Sequence, residues 1–138
     1  MKTAKAFFDS NVLLYLLSAD DTKANRAEAL LADGGAISVQ VLNEFTSVAT
    51  RKFKMSYAEV REALEVVKAI CQIDPLSVDI HERGLDIAER YGFSWYDSLI
   101  VAAALVAQCE CLYSEDLQHG QVVDNQLRIV NPFIDLTV

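Results

Sequence analysis

Of four acids, Asp9 and Asp116 stand at the tips of expected strands, and Glu44 and Asp97 stand near the starts of expected helices. Carboxylates brought from such places to one point repel one another and raise one another's pKa values, a cost that a bound divalent cation removes. Oxygen ligands without histidine or cysteine nearby suit Mg2+ or Mn2+ and argue against zinc. The chemistry open to such a centre is metal-assisted hydrolysis. Each acid also has an ordinary explanation. Asp97 is the third residue of a helix capped by Ser94, Glu44 lies one turn into another, and the helix dipole favours carboxylates at both places. What sets the four apart is that they fall at equivalent places in one fold.

The elements that position them follow from hydrophobic periodicity. The β-prone run Ala4 to Phe8 ends at Asp9-Ser10-Asn11, and Val12 to Leu17 continues as a helix of about two turns, capped by Asp9 or Ser10. Asp20 or Asp21 opens a helix through Ala32, Asp33-Gly34-Gly35 stops it, and Ala36 to Val39 is a short strand. A helix from about Gln40 to Phe53 carries the stripe Val41, Leu42, Phe45, Val48 and Ala49, with Glu44 on its edge. It ends in Arg51-Lys52-Phe53-Lys54, the densest basic cluster, whose cations suit a helix C-terminus. Ser56 and Glu59 open the next helix, to about Cys71, and Gln72 to Asp74 form a short strand before Pro75. Ser77 or Asp79 opens a helix to Tyr91, with Ile80, Leu85, Ile87 and Ala88 facing inward, His81 on the surface and Gly92 as its stop. The run after Asp97, apolar through Ala107, is too short for a bilayer and too uniform for a surface helix. It should be buried on all sides. Cys111 to Ser114 is a core strand followed at once by Glu115 and Asp116; a β-prone segment at Val122-Val123 and a strand Leu127 to Val130 close the chain. Short strands alternating with helices predict an α/β fold with a parallel sheet covered on both faces, and such sheets bind ligands at the strands' C-terminal ends.

A chain of 138 residues, 52% hydrophobic, is expected to form one domain over 1–138 with a sizeable core. Twelve basic against twenty acidic residues give a net charge of −8, which repels a phosphate backbone, so handling of nucleic acid requires divalent cations. No run reaches the roughly 18 apolar residues of a membrane span, and Asp9 comes too early for a signal peptide. The expected location is cytoplasmic, with no membrane contact. Cys71, Cys109 and Cys111 lack paired spacing and read as reduced, buried, small apolar residues.

Taken together, the motifs resemble the PIN-domain ribonucleases, and among them the VapC-type toxins of toxin-antitoxin pairs. The resemblance rests on Phe8-Asp9-Ser10-Asn11-Val12-Leu13, Ser38-Val39-Gln40-Val41-Leu42-Asn43-Glu44-Phe45, Trp95-Tyr96-Asp97-Ser98-Leu99-Ile100-Val101-Ala102-Ala103-Ala104, Ser114-Glu115-Asp116-Leu117-Gln118-His119-Gly120 and Val130-Asn131-Pro132-Phe133. It implies a three-layer sandwich with a central parallel sheet of about five strands flanked by helices. It further implies an endoribonuclease using one or two Mg2+ or Mn2+ ions held by Asp9, Glu44, Asp97 and Asp116. On this resemblance Asp9 and Asp97 contact metal, Asp116 serves a second metal or its water shell, and Glu44 orients or deprotonates the attacking water. Ser114 takes the family's Ser/Thr position beside the site, Asn11 lies in the first motif as a supporting residue, and Glu115 could assist Asp116. Arg51, Lys52, Lys54 and His119 are candidate RNA contacts, and Trp95 and Tyr96 either stack on bases or pack in the core. The implied partners are an RNA substrate, an antitoxin covering an apolar groove near Ala24 to Leu31 and Val60 to Ile70, and a second copy of the chain.

Two other classes share some of these features. A receiver-like signalling module also gathers acids around Mg2+ but wants a lysine near its last strands, and after Arg90 the only Lys or Arg is Arg128. A PIN-like regulatory scaffold without nuclease activity would carry four mutually repelling carboxylates to no purpose.

Overall fold

The computed structural model describes residues 6–134; Ala4 and Lys5 of the expected first strand lie outside them. At the centre, β1 (Ala6–Phe8) runs parallel to β2 (Gly35–Ser38) on one side and β4 (Cys111–Tyr113) on the other. β3 (Cys71–Asp74) extends the sheet beyond β2 and β6 (Leu127–Val130) beyond β4, both parallel. Phe7 and Phe8 point to opposite faces of β1, and both are fully buried, so the sheet is covered on both sides as the apolar strands require.

Among the described residues the sheet has six strands, where the resemblance implied about five. The sixth, β5 (Val122–Val123), is antiparallel to β6 at the edge, giving the order β3-β2-β1-β4-β6-β5. Asp124 and Asn125 join the two with positive φ of 52° and 55°, the backbone of a type I′ hairpin turn. Two residues are too few to show a strand's alternation in sequence. The Asp124 carboxylate then accepts hydrogen bonds from Arg83, Arg90 and the Tyr91 hydroxyl, tying the hairpin to a neighbouring helix. Burial works against its charge, but these donors hold its pKa below the usual carboxylate value.

Among the described residues six helices flank the sheet: α1 (Ser10–Leu14), α2 (Asp21–Ala32), α3 (Val39–Arg51), α4 (Tyr57–Ile70), α5 (Val78–Tyr91) and α6 (Trp95–Val106). The helix expected over Val12 to Leu17 is α1 followed by a tighter 3-10 turn, Tyr15–Leu17. Serine caps recur, with Ser38, Ser56, Ser77 and Ser94 accepting backbone N–H groups at the starts of α3, α4, α5 and α6. α6 is buried without a break from Ser98 to Leu105, as its composition requires.

Leu85, expected on the inner face of α5, is 47% exposed. The inner face runs through Ile80, Gly84 and Ile87 instead. Gly84 supplies no side chain to the periodic pattern, yet it lets α6 come close: a Cβ there would stand 3.0 Å from Leu99 Cδ2. Gly35 does the same in the sheet, where a Cβ would lie 2.5 Å from Phe8 Cε2 and 2.8 Å from the Ala6 carbonyl oxygen.

No helix among the described residues is long and apolar enough to cross a membrane. The three cysteines form no disulfide among the described residues, and burial pushes the thiols of Cys71 and Cys109 up to about 11 and about 12, so both stay protonated.

Candidate active site

The C-terminal ends of β1 and β4 lie side by side, with Phe8 opposite Tyr113, so the residues that leave those strands meet. Asp9 leaves β1 and caps α1, its Oδ1 accepting the Ser10 N–H at 2.7 Å. Ser114 leaves β4 and donates its hydroxyl to Asp9 Oδ2 at 2.8 Å. Asp9 is only 2% exposed. Burial pushes its pKa from 3.8 up to about 7, the Ser114 and Ser10 hydrogen bonds pull it down, and the charges of Glu44 and Asp97 push it further up. The strand geometry thus forces a carboxylate into a place that disfavours its charge.

The other acids are held around it by neutral donors. Ser10 donates its hydroxyl to Glu44 Oε1 at 3.0 Å, and Gln40 donates its amide to Glu44 Oε2 at 3.0 Å, so both oxygens of Glu44 are fixed. The Asn11 amide nitrogen lies 3.3 Å from Asp9 Oδ2 and 3.2 Å from Asp116 Oδ2, while its oxygen accepts the Glu115 N–H at 3.1 Å. Glu44, Asp97 and Asp116 border one open cavity of about 730 Å3, with Asp9 beneath. α3 forms a wall of it with a single stripe of Gln40, Asn43, Glu44, Ser47, Val48, Arg51 and Lys52, three and four residues apart. Tyr96 and Asp97, in the first turn of α6, add another stretch of wall.

Among the described residues no three acids, histidines or cysteines are drawn close enough to hold a metal ion as they stand. Ser10 stands between Asp9 and Glu44, and Asn11 between Asp9 and Asp116. The donor set nevertheless suits a hard cation. All its members offer oxygen, and a positive charge would relieve the burial cost of Asp9.

The remaining sequence candidates divide. The Glu115 carboxylate is engaged elsewhere, accepting the Tyr15 hydroxyl at 2.6 Å and pairing with Lys23 at 3.3 Å. That network borders a second cavity, of about 360 Å3, which shares Asn11, Leu14, Val48 and Lys52 with the first. Arg51 and Lys52 border the main cavity, whereas Lys54 and His119 do not. His119 Nδ1 accepts the Asn131 N–H at 3.0 Å, a loop-fixing role. The adjacent aromatics separate as well: Trp95 packs edge-on to His81 at 5.0 Å, and Tyr96 is 60% exposed at the cavity rim. Gln40, Ser10, Tyr15 and Lys23 escaped sequence reasoning. Only the helical phase of Gln40, four residues before Glu44, signalled any of them.

The family model of the PIN domain matches residues 6–124. The chain belongs to the PIN-domain family. The positions matched run from β1, which delivers Asp9, to the hairpin beyond Asp116, and so take in all four acids of this PIN domain. No curated protein matches the sequence. Among solved structures, this PIN domain is similar to a toxin-antitoxin complex from Klebsiella pneumoniae, with 23% identity, TM-score 0.70, and 92% of this chain and 97% of that one covered. It is similar also to VapC20 of Mycobacterium tuberculosis, described as a sarcin-ricin loop cleaving toxin, at 18% identity and TM-score 0.66, covering 80% and 89%. VapBC2 of Rickettsia felis, bound to a promoter DNA fragment, aligns at 20% identity and TM-score 0.64, covering 90% and 97%. At these identities the likeness is one of fold.

Proposed function

We propose that this PIN domain is a Mg2+- or Mn2+-dependent endoribonuclease that hydrolyses RNA phosphodiester bonds, and that it is the toxin of a toxin-antitoxin pair. The observation that carries the reading is the meeting of Glu44, Asp97 and Asp116 at one cavity above the buried Asp9. Asp9, Asp97 and Asp116 would hold one or two cations, with Glu44 beside them. A bound cation supplies charge neutralisation at the phosphate and makes the attacking water more acidic. Glu44, with both oxygens fixed by Ser10 and Gln40, is oriented to align that water and take its proton. Ser114 and the Ser10 backbone hold Asp9 in place, and Asn11 spaces Asp9 from Asp116. No side chain need act as a covalent nucleophile.

The partners proposed with this activity are an antitoxin and a second copy of the chain. Support for the antitoxin comes from the likeness to the Klebsiella pneumoniae and Rickettsia felis assemblies, and support for RNA from the likeness to VapC20. The test is cleavage of a mixed cellular RNA pool by the partner-free protein, with Mg2+ or Mn2+ and with EDTA, alongside Asp97→Asn. Metal-dependent cutting reduced at least about 100-fold in the variant is expected, as for loss of a group that acts in the transition state. A folded protein that cuts nothing under either metal would turn the reading toward a regulatory scaffold.

A further inference from the structure

The cavity carries two features that holding a cation does not require. The first is Tyr96. Its ring is 60% exposed beside Asp97 and has no ring or hydrogen-bond partner among the described residues, unlike Trp95 next to it. Its backbone is anchored, because Ser94 caps α6 and the helix is buried from Ser98 to Leu105. The second is a pair of uncompensated cations. Arg51 and Lys52 border the cavity at the far end of the α3 stripe, and neither forms an ion pair among the described residues, in a chain of net charge −8. Arg51 instead donates its Nε–H to Ser47 at 3.1 Å, which aims the guanidinium along the helix. At about 1.5 Å per residue, Arg51 lies about 10 Å along α3 from Glu44, a nucleotide or two from the reacting phosphate.

An exposed aromatic face on an anchored helix and unpaired cations on separate walls of one groove match the two parts of a nucleotide strand, its bases and its phosphates. We propose that Tyr96 is the stacking platform for a base next to the cleaved bond, and that Arg51 and Lys52 grip phosphates on the flanking side. The substrate segment must then enter unpaired, since a base inside a duplex has both faces covered. The inference rests on the nuclease reading and adds to it a residue that selects single-stranded over paired RNA.

The test reads binding separately from cutting. In a Glu44→Gln background, with Mg2+ present, the affinity for a fluorescein-labelled single-stranded RNA 12-mer is measured by anisotropy, with and without its complement. Tyr96→Ala should weaken binding about ten-fold, while Tyr96→Phe and Tyr96→Trp stay within about two-fold, since stacking needs the ring and not the hydroxyl. Replacing Arg51 and Lys52 together by alanine should weaken binding and flatten its salt dependence. Annealing the complement should lower affinity in the background protein. The proposal is overturned if Tyr96→Ala binds like the background protein, if Tyr96→Phe loses as much as Tyr96→Ala, or if duplex and single strand bind alike. Failure of the nuclease reading would show separately, as a protein with native Glu44 that binds the strand yet cuts nothing with Mg2+ or Mn2+.

Discussion

Asp9 is where the chemistry of the site is written into single atoms. Its folded pKa, about 7, lies above the ordinary 3.8, so the ion-free folded state holds the proton more tightly than the unfolded chain does. Asp9 should therefore cost the ion-free protein most above pH 7, and that cost should fade as pH falls from about 7 to about 4, by at most about 4 kcal/mol, against the opposite trend of Asp124 with its lowered pKa. Thermal melts in EDTA across that range would show the change, and Asp9→Asn should remove the Asp9 part of it. Mg2+ or Mn2+ at pH 7.5 should raise the melting temperature of the native protein more than that of the variant. Glu115 and Asp116 are neighbours in sequence with different surroundings. Because Glu115 is turned to Tyr15 and Lys23, Glu115→Gln should keep cleavage within about three-fold, whereas Asp116→Asn should lose about 100-fold or more. Equal losses in single-turnover assays would place Glu115 in the metal shell after all.

At the scale of elements, three packing decisions set the site. The parallel pairing of β1 with β4 brings Asp9 to Ser114, the phase of α3 aims Glu44 at them, and Ser94 starts α6 where Asp97 meets the cavity. The first depends on β1 also fitting closely against β2. Gly35→Ala would force its methyl against Phe8 Cε2 and the Ala6 carbonyl, and both Phe8 and its surroundings are buried without slack. A loss of about 1–3 kcal/mol is expected, read from the urea midpoint, with activity falling as β1 shifts. Gly84→Ala is a weaker case, because the helix gains about 1 kcal/mol from alanine, which offsets the 3.0 Å approach to Leu99.

For the whole molecule, the net charge of −8 and the acidic cavity oppose binding of any polyanion. On the proposed function, cations held by the carboxylates, together with Arg51 and Lys52 on the cavity wall, would reverse that repulsion locally.

Composition and periodicity alone determined the α/β class, the burial of α6 from Ser98 to Leu105, the caps Ser56 and Ser94 and the four acids as candidates, because each depends on spacing within one element. What lay beyond sequence were relations between elements. The packing of α5 on α6 substituted Gly84 for Leu85 on the inner face, and the β-prone Val122-Val123 became a sheet strand, antiparallel at the edge, only through its pairing with β6. The same holds within the site. Which acid is buried, which is drawn away by Lys23, and which of two adjacent aromatics faces the cavity were decided by side chains far apart along the chain. Burial and charge pairing are sums over neighbours in space, and a sequence lists neighbours only along the chain.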